Sequence, residues 1–121
     1  MAKSSLEKKF DLILYANEIK GNFEDEVKFH PTRRWRFDYA DWRNMVAVEI
    51  EGGTWNNGGH SRGAGYQKDT EKYNEAVKLG WRILRYTGKT MQNFPTDYEV
   101  LTRKGISDFK TKKIKIPTEK G

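Results

Sequence analysis

The segment 34–51, RWRFDYADWRNMVAVEIE, contains four carboxylates. Asp41 lies in its polar turn, and the other three are Asp38, Glu49 and Glu51. Apolar and polar residues alternate on both sides of a polar turn at 41–44, which predicts two β-strands paired as a hairpin. Side chains two positions apart share a face of a strand, so all three acids are expected on one face. Three acids on one face repel one another unless a cation lies among them, and the spacing therefore predicts a metal site. The opposite face is expected to be apolar and core-forming, with Trp35, Phe37, Tyr39, Val46, Val48 and Ile50.

The register of this hairpin determines how Asp38 and Glu49 approach each other. If Ala40 faces Met45, Asp38 lies diagonally across from Glu49, with Cα atoms roughly 7–8 Å apart. A shift of two residues would instead place Asp38 directly opposite Glu49. In either register the two carboxylates can reach one hydrated Mg²⁺, with ligand distances of about 2.0–2.1 Å. A shift of one residue would expose the apolar face, so core burial selects a register that keeps the acids together.

Length and composition are typical of a single domain of 121 residues, with a core at about 5–105 and a basic tail at 106–121. The aromatic content of 13% argues against disorder, and the absence of cysteine excludes disulfides and thiolate metal sites. No apolar run approaches membrane-spanning length and the N-terminus lacks an apolar signal core. We therefore expect a cytoplasmic protein with no membrane partner.

The net charge of +6 has two interpretations. It can serve solubility alone, or it can indicate a polyanionic partner, because nucleic-acid affinity depends largely on neutralising phosphates. Arg33 and Arg34 precede the hairpin, Arg36 lies in its first strand, and paired arginines suit phosphate oxygens. We expect these residues to contact DNA, with surface solvation as the alternative. Three residues further along the chain are expected to contact DNA as well: Trp55, Arg62 and Lys68.

Further elements complete an α/β pattern around the hairpin. Ser4 followed by Glu7 is a capping-box signature, which predicts a helix at 5–20. A helix at 66–79 and a strand at 81–86 predict a crossover that adds a parallel strand to the hairpin. The expected fold is a mixed central β-sheet, with an antiparallel hairpin and a parallel crossover strand, flanked by helices. A strand at 27–29 and a helix at 95–104, with Thr96 as its N-cap, are also expected.

A glycine-rich segment follows the second acidic strand at 52–65. We expect a functional loop rather than a connector, because long loops within compact domains are more often functional. Trp55 could stack a base, His60 could orient water or contact a phosphate, and Arg62 could stabilise negative charge.

Charged residues on the two flanking helices could also reach the acids. Lys72, and less readily Lys68, could be aimed at the site because their helix follows the acidic strand and packs against the sheet. Solvated lysine is the alternative for each. Glu7 and Glu18 could extend towards the site, but we expect both to be solvated helix residues.

The order of these elements and the run VAVEIEGG…H…D..KYN…GW.ILRY resemble the PD-(D/E)XK nuclease superfamily. The similarity is greatest to small phage-type and very-short-patch-repair-like endonucleases, and it covers about Arg33 to Tyr86. The resemblance implies a restriction-endonuclease-like fold and, for a phage-encoded protein, a location in the host cytoplasm. It also implies Mg²⁺, with Mn²⁺ able to substitute, bound by Asp38, Glu49 and the main-chain carbonyl of Ile50.

The sequence departs from the superfamily pattern at Glu51, where a lysine is usual. Glu51 could complete a second metal position or accept a proton from water. The missing cation could come from the next helix, as Lys72 or Lys68. Phe37 stands where a proline is often found, which has no consequence for the chemistry.

These features together predict a Mg²⁺-dependent endodeoxyribonuclease that nicks, cuts or processes branched DNA. Simultaneous cleavage of both strands would require a homodimer. A non-catalytic nucleic-acid-binding module on a degenerate nuclease fold is the main alternative, because the acid-x-acid motif lacks lysine. A small basic structural protein with ordinary sheet-face acids is the third possibility.

Overall fold

A four-stranded mixed β-sheet forms the centre of the protein in a computed structural model that describes residues 3–52 and 64–103. The strands follow the chain in the order β1 to β4, and the pairs β1–β2 and β2–β3 are antiparallel while β3–β4 is parallel. The predicted mixed sheet, with its hairpin and parallel crossover strand, is thus confirmed. The strands are β1 Glu24–Lys28, β2 Arg36–Asp41, β3 Val46–Ile50 and β4 Arg82–Tyr86.

Within residues 3–52 and 64–103, three α-helices flank this sheet: α1 Ser5–Ala16, α2 Ala64–Lys78 and α3 Phe94–Thr102. Short 3-10 helices occupy Lys20–Asn22 and Met91–Asn93. None of the helices in the described ranges is long and apolar enough to cross a membrane.

The predicted capping box begins α1. The hydroxyl of Ser4 accepts a hydrogen bond from the amide of Glu7 at 3.1 Å, and the Glu7 carboxylate accepts one from the amide of Ser4 at 3.0 Å. Two helix-boundary predictions are wrong. The helix α1 ends at Ala16 rather than residue 20, and α3 begins at Phe94 rather than after Thr96, with Pro95 in its first turn.

Both faces of the sheet are covered, so the core has two parts. The first cluster packs α1 and α3 against one face and contains Phe10, Leu14, Tyr39, Val46, Val48, Tyr86, Phe94 and Tyr98. The second cluster packs α2 against the other face and contains Val27, Phe29, Phe37, Ala40, Ala47, Ala76 and Trp81. Ala40 and Ala47 of the sheet lie in this second cluster with Ala76 of α2. Their small side chains allow α2 to pack close to the centre of the sheet.

The expected sharing of one face by Trp35, Phe37 and Tyr39 is wrong. Tyr39 belongs to the first cluster, whereas Phe37 belongs to the second and Trp35 packs against it. The regular alternation therefore breaks at the intervening residue, Asp38. The residue opposite Asp38 on β1 is Glu26, which lies between the Asp25–Tyr39 and Val27–Phe37 pairs. Glu26 has a main-chain φ of 53°. A left-handed residue is unusual within a strand and accompanies a local distortion of the sheet.

Candidate metal-binding site

The hairpin register brings Asp38 and Glu49 together. Ala40 pairs with Ala47 and Tyr39 with Val48, so the next position places Asp38 opposite Glu49. This corresponds to the shift of two residues considered above, and the pairing of Ala40 with Met45 is wrong. The four-residue turn at 42–45 connects the strands and fixes this register.

Around Asp38 and Glu49, the hydrogen bonds that join β2 and β3 run from main-chain amides to side-chain carboxylates. The amide of Asp38 donates to Glu49 Oε2 at 3.1 Å, and the amide of Ile50 donates to Asp38 Oδ2 at 2.7 Å. Each carboxylate is thus held by a main-chain group of the opposite strand. Such charge-assisted bonds fix the carboxylates in place before any ligand arrives.

Burial raises the pKa of Asp38 to about 6, from an ordinary value of 3.8. The hydrogen bond from the Ile50 amide opposes this rise, and the negative charges of Glu49 and Glu7 add to it. The ammonium of Lys72 lowers the pKa but does not cancel the other effects. Asp38 is therefore a carboxylate whose ionised form lacks sufficient nearby positive charge.

Glu49 receives two further hydrogen bonds from α2. Lys72 Nζ lies 3.1 Å from Glu49 Oε1, and the Tyr73 hydroxyl donates to the same oxygen at 3.0 Å. The side chains of Glu49 and Lys72 are only 12% and 14% exposed, so this ion pair is largely shielded from water. Of the two lysines expected to reach the acids from the following helix, Lys72 thus contacts Glu49.

Glu51 lies apart from this pair of acids. Its Oε2 accepts a hydrogen bond from Arg85 Nε at 2.7 Å, on the neighbouring parallel strand β4. That bond, more than the opposing effect of burial, raises the pKa of Arg85. The Arg85 guanidinium also covers the ring of Tyr73 at 4.6 Å.

Two residues at the site were not anticipated from the sequence. The helical spacing of Tyr73 is that of an apolar face, which is typical of a core residue and does not indicate that its hydroxyl reaches Glu49. Glu7 was expected to be a solvated helix residue; it is partly buried, and its negative charge contributes to the raised pKa of Asp38. The capping-box pattern could have indicated this position of Glu7, because it defines the start of α1 and therefore the helix face on which Glu7 lies.

The predicted DNA-binding arginines lie on the surface near the first end of β2. Arg33 Cζ lies 4.1 Å from the ring of Trp35, and Arg33 also pairs with Glu71 of α2 at 3.2 Å. Arg33, Arg34 and Trp35, with Thr32, line an open surface pocket of about 510 Å³. Arg36 pairs with Glu26 at 3.3 Å.

His30 holds the loop that carries these arginines. Its Nδ1 accepts hydrogen bonds from the amides of Thr32 and Arg33, at 3.2 and 3.0 Å. Its Nε2 lies 3.1 Å from Glu75 on α2. Trp55, His60 and Arg62 lie outside the described residues, as does the side chain of Lys68, and their predicted roles stay predictions.

The atoms of Asp38 and Glu49 that could bind a metal ion are carboxylate oxygens. Among the residues that the structure describes, no group of three or more His, Cys, Asp and Glu side chains is arranged to hold a metal ion. A pair of carboxylates nevertheless fits Mg²⁺, which commonly uses one or two protein carboxylates and takes its other ligands from water and substrate phosphate. The same pair does not fit structural zinc, which prefers nitrogen and sulfur ligands.

No protein-family model, no curated protein and no solved structure matches this chain.

Proposed function

We propose that this protein is a Mg²⁺-dependent endodeoxyribonuclease with a restriction-endonuclease-like fold. The observation that carries the proposal is the arrangement of Asp38 opposite Glu49, with Lys72 on Glu49 Oε1. A shielded pair of acids beside one lysine is a typical set of groups for phosphodiester hydrolysis. The resemblance to the PD-(D/E)XK superfamily points to the same chemistry.

Asp38, Glu49 and the main-chain carbonyl of Ile50 would hold the metal ion. When bound, Mg²⁺ would lower the pKa of a coordinated water and neutralise charge on the scissile phosphate. The raised pKa of Asp38 supports this assignment, because its ionised form gains the most from an added cation.

Lys72 would supply positive charge for the transition state. Its ammonium is held against Glu49 and has little exposure to water, so its interaction with a phosphate oxygen would be weakly screened. The Lys72 ammonium would contact both Glu49 and the phosphate as negative charge develops on the phosphate oxygens.

Arg33, Arg34 and Arg36 would orient the DNA by contacts with backbone phosphates. Trp35 fixes Arg33 by stacking, and His30 fixes the main chain of the same loop. Phosphate contacts of this kind set the position of the duplex but carry no sequence information. The proposal therefore includes DNA as the partner without a particular recognition sequence.

Incubation of supercoiled plasmid with the protein tests this proposal directly. We expect nicked or linear DNA with Mg²⁺ or Mn²⁺ and none with EDTA. Asp38→Asn and Glu49→Gln should each reduce the rate by at least 10³-fold. Glu99→Gln, which removes an exposed carboxylate on α3, is the matched control and should cleave at the wild-type rate.

Two results would contradict the proposal. Absence of cleavage with every divalent ion, together with salt-dependent DNA binding in EDTA, would favour the non-catalytic binding module. Cleavage that persists when both Asp38 and Glu49 are replaced would show that the site lies elsewhere.

A further inference from the structure

Glu51 is connected to Glu49 by a continuous set of contacts through β4 and α2. Glu51 Oε2 accepts a hydrogen bond from Arg85 Nε at 2.7 Å. The Arg85 guanidinium lies 4.6 Å from the centre of the Tyr73 ring, and the Tyr73 hydroxyl donates to Glu49 Oε1 at 3.0 Å. We call these residues, Glu51, Arg85 and Tyr73, the orienting chain.

We propose that the orienting chain holds the Glu49 carboxylate in position, and that Glu51 acts through it rather than as a metal ligand or base. This inference rests on the proposed function, because it assigns roles within the same site. Glu51, Arg85 and Tyr73 are then positioning residues, while Asp38, Glu49 and Lys72 touch the metal or the phosphate.

The Tyr73 hydroxyl is suited to act as a permanent donor. A tyrosine hydroxyl, with an ordinary pKa of about 10, keeps its proton at neutral pH. A hydroxyl with one proton gives that proton to one acceptor, and the observed acceptor is Glu49 Oε1. The bond therefore restricts rotation of the carboxylate, while Lys72 on the same oxygen supplies charge.

Arg85 restrains the Tyr73 ring from the side of β4. A guanidinium over an aromatic face is attracted to it, and the planar group limits movement of the ring. Glu51 in turn accepts a hydrogen bond from the Nε atom of this guanidinium, and it directly follows β3, the strand that pairs in parallel with β4. Loss of Glu51 should consequently loosen Arg85 first and affect Glu49 only indirectly.

The placement of Glu51 also argues against direct ligation. Its carboxylate is 37% exposed and engaged with Arg85, whereas the Glu49 carboxylate is largely buried. The Glu51 Oε2 atom already has a cationic partner, the Arg85 Nε of β4, at 2.7 Å. Glu51, which stands where the superfamily pattern has a lysine, thus contacts Arg85.

Titration with Mn²⁺, followed by calorimetry and by plasmid cleavage, separates the two roles of Glu51. We expect Tyr73→Phe to weaken Mn²⁺ binding about tenfold, within the range for groups that orient metal ligands, with kcat at saturating metal within about twofold of wild type. Glu51→Gln and Arg85→Met should each weaken binding about threefold. Asp69→Asn removes another carboxylate near Arg85 and should leave Mn²⁺ binding unchanged.

A double-mutant cycle gives the decisive comparison. If the orienting chain is correct, Glu51→Gln should add little further loss of Mn²⁺ affinity in a Tyr73→Phe background, because both changes break one connection. A full, independent loss, or a Glu51→Gln variant as inactive as Glu49→Gln, would overturn the inference and make Glu51 a ligand. If the wild-type protein neither binds Mn²⁺ nor cleaves DNA, the proposed function itself fails.

Discussion

The Asp38 amide donates a hydrogen bond to the carboxylate of Glu49 at 3.1 Å, directly across the β2–β3 hairpin. The Asp38 carboxylate accepts in turn from the amide next to Glu49 in the chain, at 2.7 Å. The carboxylates of Asp38 and Glu49 would repel each other, but each accepts a hydrogen bond from a main-chain amide of the opposite strand. This mutual fixation would let the proposed cation bind without movement of the strands.

Asp38→Asn should make the protein more stable at neutral pH, although we expect it to abolish the proposed cleavage activity. The pKa of Asp38 in the folded protein, about 6, is above its ordinary value of 3.8. The folded state thus binds the proton more tightly, and stability is lost as pH rises from about 4 through 6. After discounting for partial exposure, we expect the loss to be about 1–2 kcal/mol.

Urea denaturation at pH 4.5 and pH 7.5 measures this effect. The free energy of unfolding of Asp38→Asn minus that of wild type should increase between the two pH values by about the same 1–2 kcal/mol. An unchanged difference would show that the folded protein does not raise the pKa of Asp38.

Divalent metal should stabilise the wild-type protein in a pH-dependent manner. A proton on Asp38 competes with the ion, so Mg²⁺ affinity should fall as pH drops below about 6. At a Mg²⁺ concentration 100-fold above the dissociation constant, the added stability is about 2.7 kcal/mol. Thermal unfolding with and without Mg²⁺ at pH 5 and pH 7.5 tests this, and Glu49→Gln should show no shift at either pH.

Lys72→Met should separate metal binding from catalysis. Its ammonium lies 3.1 Å from Glu49 Oε1, where it competes with an incoming cation. We expect Mg²⁺ binding to be retained or strengthened while kcat falls about 100-fold, since charge on the phosphate is no longer stabilised. Lys78→Met, at an exposed position of the same helix, is the control and should alter neither quantity. Weaker metal binding by Lys72→Met would contradict this role.

Tyr98→Phe should reduce stability without affecting the site. Its hydroxyl donates to Asp41, a buried carboxylate at the far end of β2 that also accepts from the amide and side chain of Asn44. Loss of one donor to a buried charge costs about 1–3 kcal/mol. Chemical denaturation should show this loss, while plasmid cleavage at 25 °C should stay at the wild-type rate.

The sequence was sufficient to predict the elements that carry the acids. Ser4 and Glu7 identified the start of α1, and alternation identified the strands on both sides of the 42–45 turn. The register was left open between two alternatives because both keep Val46 and Val48 on one face. Only the length of the turn distinguishes them, and turn geometry depends on the main chain, where Met45 has a φ of 56°.

The contacts of Glu49 required the tertiary structure. The spacing of Tyr73 on α2 is that of a core residue, and its ring does pack while its hydroxyl reaches the site. Periodicity records only the apolar part of such an amphipathic side chain. The different directions of Phe37 and Tyr39 could not be predicted either, because the break at Asp38 involves Glu26 on another strand.

The long separation in sequence between the acids and their cation has a consequence for the folding pathway. Asp38 and Glu49 meet by closing a short hairpin, whereas Lys72 is 23 residues beyond Glu49 and arrives only when α2 docks. Local hairpins form in microseconds, well before crossover connections are completed. Early hairpin formation would thus bring together two unneutralised charges, and we expect the protein to refold faster at mildly acidic pH than at neutral pH.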